Sequence, residues 1–423
     1  MTSLRAVKGM NDVLPAQIAG WHRVEAAFRR CMELSGFREV RTPHVESTAL
    51  FQRAIGEVTD VVEKEMYSFA HHEDRLTLRP EGTAGVVRAY IEHRVHNTEP
   101  VTRWYYMGPM FRAETPQAGR YRQFHQYGAE LFGDPGPAGD AEMISELMAF
   151  LAACGVADAR VYVNSIGGPE ARASYTRALV SFLEPRKERL GADSRRRLAT
   201  NPLRILDSKA PEDLAALEGA PTILELLSAE DRAHFSGLCA HLDALGVPHE
   251  VEPKLVRGLD YYTRTLFEIK GARKKLGAGD TLVGGGRYDR MVEELGGPKV
   301  AAFGYAGGLE RLLIAAGGEE GAPHVSVLLT PVIAAATGEA LKLARELRAS
   351  GVPCEVDTRG SSLKSMLRRA NGLGASFAMI LGESELEEGV VQVKDLAGHT
   401  QERIARADVV RVVGDRVLGA RSA

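Results

Sequence analysis

Residues 255–268 read LVRGLDYYTRTLFE. β-Branched and aromatic side chains give the stretch strand character, yet Arg257, Gly258 and the run Asp260-Tyr261-Tyr262 are set inside it. Each polar group buried there without a partner costs about 1–3 kcal/mol. Either the protein pairs these groups or a ligand does, so the flanking sequence decides the fold. Strand material spans 249–269, and its expected pairing partner is TLVGGGRYD (281–289). Glycines inside a strand mark close approach of backbone or ligand. The run lacks the spacing of a dinucleotide fingerprint or a phosphate-binding loop.

Upstream, residues 16–35 carry helical apolar spacing, and GFREVRTPHVE (36–46) turns to strand character broken at Pro43. After TLRPEGT (77–83), AGVVRAYIEHRV reads as a helix with Thr83 as its N-cap. RWYYMGPMFRAE (103–114) and RYRQFHQYGAELFG (120–133) form two strands, and TPQAG between them suits an antiparallel hairpin. Residues 170–245 are helical and rich in Arg, Lys and Glu, an insertion reaching to about 248. After 289 a glycine-containing turn leads into a helix within GYAGGLERLLIAAG (304–317). Past the linker GGEEGAPH (317–324) strand and helix alternate, with Ala340, Leu343, Ala344 and Leu347 on one helix stripe and Leu363, Met366, Leu367 and Ala370 on another. That pattern predicts a small α/β domain with a largely parallel sheet behind an α+β domain of antiparallel strands.

The 423 residues exceed one compact core. No run of 18 apolar residues exists; VSVLLTPVIAAA is broken by Ser326, Thr330 and Pro331. The N-terminus lacks the apolar core of a signal peptide, and four dispersed cysteines suggest neither a disulfide framework nor a metal site. A cytoplasmic protein with no membrane partner is expected. The net charge of −3 leaves any nucleic-acid contact to local patches.

Several polar residues sit where a ligand could meet them, each with an ordinary alternative. Alternation puts Gln126, Gly128 and Glu130 on one strand face, a polar wall with room for a small ligand or a solvated sheet face. Arg112 ends the series Gly108, Met110, Arg112; it suits a phosphate or an ion pair with Glu114. Glu81, in a Pro-Glu-Gly turn, either meets a ligand ammonium or caps the helix. Arg311 lies early in a helix after glycines, where a phosphate tail or a surface ion pair would each explain it. Together these residues suggest ligands with both anionic and cationic groups, such as ATP plus an amino acid.

The motifs are similar to those of the histidyl-tRNA synthetases over nearly the whole chain. GFREVRTP resembles motif 1 of the class II synthetases, FRAE the opening of motif 2, and GYAGGLER motif 3. LVRGLDYYTRTLFE and GGGRYD resemble the two segments that set the histidine enzymes apart. Gly307 stands where a larger apolar residue is common in the family.

The resemblance implies an antiparallel-sheet catalytic domain over 1–322, with the helical insertion at about 170–248, and an α/β anticodon-binding domain over 323–423. It implies ATP-dependent ligation of L-histidine to its tRNA through histidyl-adenylate, with release of AMP and pyrophosphate. Glu81, Thr83 and Gln126 would hold the α-ammonium of histidine, Gly82 permitting close approach. Glu130 and Tyr262 would bind the imidazole nitrogens, with Tyr261 lining the pocket. Arg112 would meet the α-phosphate of ATP, Arg120 and Arg311 its distal phosphates, and Glu114 belongs to the same nucleotide site. Arg257 would stand between the histidine carboxylate and the α-phosphate, so Arg257 and Arg112 carry the catalysis. Mg²⁺ would accompany ATP, no structural metal is implied, and a homodimer is expected.

For tRNA, Lys364, Arg368 and Arg369 beside Arg359 form one candidate patch and Arg195–Arg197 another. The rival is a regulatory paralogue of the type that serves ATP phosphoribosyltransferase, which binds histidine without catalysis. It usually departs from the motif arginines and lacks the anticodon domain, whereas Arg112, Arg257 and Arg311 are all present here. A module that only senses uncharged tRNA would need an attached kinase-like domain, for which the chain leaves no space.

Overall fold

The computed structural model describes residues 4–56, 59, 61–257, 259, 261–271, 280–317 and 325–422. Gly258 and Asp260 of the opening stretch, residues 318–324 of the expected linker, and the expected boundary between 322 and 323 lie outside the described residues. The chain divides into two compact units, Met1–Glu319 and Glu320–Ala423.

The first unit carries β1 (Arg38–Glu39), β2 (Val45–Ser47), β3 (Tyr67–His71), β4 (Asp74–Leu78), β5 (Thr102–Phe111), β6 (Gln123–Phe132), β7 (Arg160–Ser165), β8 (His249–Val251), β9 (Thr263–Lys270), β10 (Thr281–Arg287) and β11 (Ala302–Gly308). Eight of them form one sheet in the order β1-β5-β6-β11-β10-β9-β7-β8, and β2, β4 and β3 form a small second sheet. Only the outer pairs β1/β5 and β7/β8 are parallel; the central strands are antiparallel.

β-Strand alternation gives this sheet two distinct faces. Tyr127, Leu131, Phe267 and Phe303 point into a core with the helices Pro15–Leu34, Pro137–Ala153, Ala229–Ala244 and Leu309–Ala316. The opposite face carries Tyr106 and Phe132, packed with the helices Thr48–Ile55 and Thr83–Glu92. Pro15, Pro137 and Pro169 open helices, where a missing N–H costs nothing.

Four sequence expectations change. In the 255–268 stretch the strand begins at Thr263; Leu255–Arg257, Leu259, Tyr261 and Tyr262 belong to no strand. GYAGG, expected as a turn, is the buried strand β11, with Gly308 as the N-cap of the helix that follows. The β5–β6 connection runs from 112 to 122, longer than TPQAG, because the N–H groups of Ala113 and Arg122 turn to the carbonyls of Glu65 and Gly9. Thr83 begins its helix rather than capping it; the cap position is Gly82.

Residues 166–248 contain helices and turns and no strand. The last helix, Ala229–Ala244, differs from the others: its Leu238 and Leu242 join the core beneath the large sheet.

The second unit holds β12 (Val327–Pro331), β13 (Cys354–Val356), β14 (Phe377–Leu381), β15 (Val390–Asp395) and β16 (Gln401–Ala405), in the order β13-β12-β14-β15-β16. The expected parallel sheet is found in β13, β12 and β14. β15 and β16 pair antiparallel, because their connections fall short of the dozen or so residues that a parallel crossover needs. Ala340, Leu343, Ala344 and Leu347 are fully buried, as their spacing predicts.

Candidate active site

A row of small residues crosses the centre of the large sheet. Gly128 of β6 pairs with Ala306 of β11, which pairs with Gly284 of β10; one step along, Glu130 pairs with Gly304, and Gly304 with Gly286. Missing side chains leave a cavity of about 130 Å³ above them, lined by Glu81, Thr83, Arg112, Gln126, Arg257, Leu259, Tyr261, Tyr262 and Tyr288. Pockets for drug-sized molecules run to roughly 300–1,000 Å³, so this one is scaled to a small metabolite.

The acidic end is built around two carboxylates. Glu81 is buried, and its two oxygens accept the backbone N–H groups of Thr83 (2.7 Å) and Ala84 (2.8 Å). It therefore caps the helix and faces the cavity at once, and burial raises its pKa. The Thr83 hydroxyl, freed from capping, donates to Glu130 at 2.7 Å. Glu130 has no exposure and does not line the cavity directly. It lies behind Gly304, where a Cβ would overlap its carboxylate. Tyr288 donates its hydroxyl to the other oxygen. Burial lifts the Glu130 pKa to about 8.

The basic side begins with Arg257, whose guanidinium is ion-paired with Glu268 and packed onto Gly284. Burial works against its charge, but Glu268 and the two tyrosines outweigh it and its pKa rises. The Arg257 Nε finds no hydrogen-bond partner among the described residues, nor does the buried Gln126 Oε1. Arg112 donates Nε to the Pro80 carbonyl at 2.8 Å and lies over the Phe124 ring. The expected Arg112–Glu114 pair is replaced by Glu114 with Arg120, at 3.7 Å. Arg311 donates to the Thr281 carbonyl at 2.8 Å. Burial and then the like charge of Arg120 lower its pKa, a setting that an anion would relieve.

The structure thus brings Glu81, Thr83, Arg112, Gln126, Arg257, Tyr261 and Tyr262 to one cavity. Gly82 sits against Tyr106, where a Cβ would collide with the ring. Glu114, Arg120 and Arg311 form a separate charged group and are not among the lining residues.

Residues 9–312 match the family described as Histidyl-tRNA synthetase, and 326–416 match Anticodon binding domain. A histidine–tRNA ligase of Sorangium cellulosum is 56% identical over 417 residues, covering 99% of this chain and 97% of its own. The chain belongs to the histidyl-tRNA synthetase family. Another relative, the histidine–tRNA ligase of Anaeromyxobacter dehalogenans, is 48% identical over 416 residues, 97% of this chain and 100% of its own. The crystal structure of apo S. aureus histidyl-tRNA synthetase superposes with a TM-score of 0.81 at 34% identity, covering 97% of this chain and 100% of that one. A Bacillus halodurans ATP phosphoribosyltransferase regulatory subunit/histidyl-tRNA synthetase shares the fold, with a TM-score of 0.67 at 21% identity over 90% of this chain and 99% of that one.

Three residues at this synthetase-family site escaped sequence reasoning. Tyr288 stands inside the GGGRYD motif, yet its partner Glu130 is remote in sequence. Tyr106, within 3.5 Å of the Thr83 hydroxyl, packs against both Gly82 and Gly128. Glu268, counter-ion of Arg257, was visible only as a strand residue. In the second unit two of the four patch cations are already engaged: Arg359 with Asp357, and Arg369 with Glu355 and Asp357. Lys364 and Arg368 stand exposed. Among the described residues no cluster of His, Cys, Asp and Glu could hold a metal, and no helix is long and apolar enough to cross a membrane.

Proposed function

We propose how this chain, a class II histidine–tRNA ligase, ligates histidine to tRNA at the cavity beside Arg257. The histidine carboxylate attacks the α-phosphorus of ATP in line, forming histidyl-adenylate and pyrophosphate. The terminal ribose hydroxyl of tRNA then attacks the acyl carbonyl and AMP leaves. Neither step needs a covalent enzyme intermediate; positioning and charge stabilisation supply the rate.

One observation carries the assignment of residues: an acceptor, Gln126 Oε1, and a donor, Arg257 Nε, are both buried and unpartnered at one small cavity. Leaving such groups unmet costs about 1–3 kcal/mol each, and an amino acid, cationic at one end and anionic at the other, meets both. Glu81, Thr83 and Gln126 then hold the ammonium, with Gly82 keeping the backbone close. Tyr262 and Glu130 take the imidazole, steadied by Tyr261 and Tyr288. Two bonds leave Glu130 with lone pairs to spare. Arg257 bridges the histidine carboxylate and the α-phosphate, and Arg112 meets the same phosphate. Arg120 and Arg311 receive the distal phosphates of ATP, which brings its Mg²⁺ with it, and Glu114 belongs to the same nucleotide site.

We assign residues 1–322 to the catalytic domain, with the helical insertion at about 170–248, and 323–423 to anticodon binding. Lys364 and Arg368 are the assigned tRNA contacts of that domain, and the enzyme works as a cytoplasmic homodimer. The regulatory-paralogue reading is less supported, since the motif arginines are present and the anticodon-binding family matches.

Arg257→Ala tests the assignment. The loss of an arginine that meets developing charge costs roughly 3–4 kcal/mol, so adenylate formation should fall about a hundred- to a thousandfold in a folded protein. Near-normal pyrophosphate exchange would refute the role.

A further inference from the structure

We propose that Arg264 is a positioning residue for histidine recognition: with Thr265 it forms a bulge, clamped to the helix Ala229–Ala244, that fixes where Tyr261 and Tyr262 stand. The proposal rests on the assignment of Tyr262 to the imidazole.

Arg264 is the second residue of β9 and adopts φ 49°, a left-handed conformation that is unfavourable for a residue other than glycine. The register on β10 shows why it is needed. Gly286 pairs with Leu266, but the next residue, Arg287, pairs with Thr263, so Arg264 and Thr265 are extra residues on β9. Bulges of this kind re-aim neighbouring side chains and gather beside functional sites. Here the residues just before the bulge are Tyr261 and Tyr262, and the Tyr262 ring lies 3.0 Å from where a Cβ on Gly286 would stand.

Arg264 is tied to the helix Ala229–Ala244 directly, and Thr265 through Asp140 of the helix Pro137–Ala153. The Arg264 guanidinium donates Nε to Asp231 at 3.0 Å and also pairs with Glu230. Asp231 accepts the Gly168 N–H at 3.0 Å as well. The turn before Gly168 in turn holds the Arg264 backbone: its N–H donates to the Gly167 carbonyl and its carbonyl accepts from Ile166. Thr265 donates to Asp140 at 2.8 Å, and His234, one turn beyond Asp231, meets the same Asp140 oxygen at 3.1 Å. On the cavity side, Thr263 accepts the Asp289 N–H at 3.2 Å, next to Tyr288. The helix thus sets one wall of the cavity without contributing a residue to its lining. If the Arg264 side chain is removed, the bulge keeps its backbone bonds to Ile166 and Gly167 and the Thr265 bond to Asp140 but loses its ties to Asp231 and Glu230, and the looser bulge shifts the tyrosines.

Arg264→Gly removes the clamp while taking the same φ at no steric cost. Arg264→Asn, which also tolerates that conformation, is the second variant should glycine prove unable to fold. Histidine and ATP KM values are measured by pyrophosphate exchange for the wild type, Arg264→Gly, Tyr262→Phe and the double variant. Arg264→Gly should raise the histidine KM about tenfold, near 1.4 kcal/mol, leave the ATP KM within about twofold, and add little in the Tyr262→Phe background. An unchanged histidine KM in Arg264→Gly, an equal rise in both KM values, or a full tenfold effect without the Tyr262 hydroxyl would each overturn the proposal. If Tyr262→Phe alone leaves the histidine KM unchanged, the imidazole assignment fails and takes the proposal with it. A raised KM in Tyr262→Phe but not in Arg264→Gly sinks only the clamp.

Discussion

Gly284→Ala places a methyl group where the Arg257 guanidinium now lies. The Cζ and both terminal nitrogens of Arg257 stand closer than 3.0 Å to the position of that methyl, a separation real Cβ atoms do not show. No backbone atom is among the three nearest, so the flexible end of one side chain yields and the fold survives. Restoring van der Waals contact moves the guanidinium by about 1 Å or more and disturbs its pairing with Glu268. Misplacing a catalytic group by about 1 Å costs on the order of a hundredfold in rate. Overpacking should cost only about 1–3 kcal/mol of stability. The assay is histidine-dependent pyrophosphate exchange, with the melting temperature as control. We expect kcat to fall about a hundredfold, with the KM for ATP little changed. A folded Gly284→Ala with wild-type kcat would show that the place of Arg257 against Gly284 does not matter, and would refute the geometric argument for its role.

Tyr288→Phe leaves Glu130 without its hydroxyl partner. A buried group left without its hydrogen-bond partner costs about 1–3 kcal/mol, so the histidine KM should rise about tenfold; an unchanged KM would separate Tyr288 from recognition. Arg287→Met strips a fully buried cation from Asp140 and Asp289. A broken buried pair costs about 3–5 kcal/mol, so the melting temperature should drop clearly, and a variant as stable as the wild type would contradict that. Burial holds the Glu130 pKa at about 8 instead of 4.5, so the folded protein keeps a proton that the unfolded chain releases between those values. Stability is therefore lost as pH rises through that window, and Glu130→Gln should flatten this part of the profile in urea titrations. Identical slopes for the two proteins would remove the buried-acid description.

Much of this site is legible in the sequence because period-2 alternation is a local rule. It puts Gln126, Gly128 and Glu130 on one face, and the glycines at 284 and 304 announce a place that side chains do not fill. What stays hidden depends on distant partners. Tyr288 reaches across 158 residues to Glu130, and Thr83 gives up capping because Glu81 supplies the cap and Glu130 claims the hydroxyl. Leu259, Tyr261 and Tyr262 imitate a strand in composition because aromatic and aliphatic side chains line a cavity as readily as they pack a pleat. The antiparallel turn of β15 and β16 is set by connection length, which helix periodicity does not report. Arg112 abandons its near neighbour Glu114 for the Phe124 ring and the Pro80 carbonyl, a choice fixed only when the hairpin folds against the 77–83 turn.

The central claim is that the cavity beside Arg257 activates histidine. The most direct measurement is exchange of labelled pyrophosphate into ATP by the purified protein, with each amino acid supplied in turn. The account predicts exchange with histidine and background with the others, because an analogue without ring nitrogens cannot make the bonds that Glu130 and Tyr262 offer the imidazole, a loss worth about 10⁴–10⁵ in specificity. A folded protein that binds histidine yet shows no exchange would contradict it.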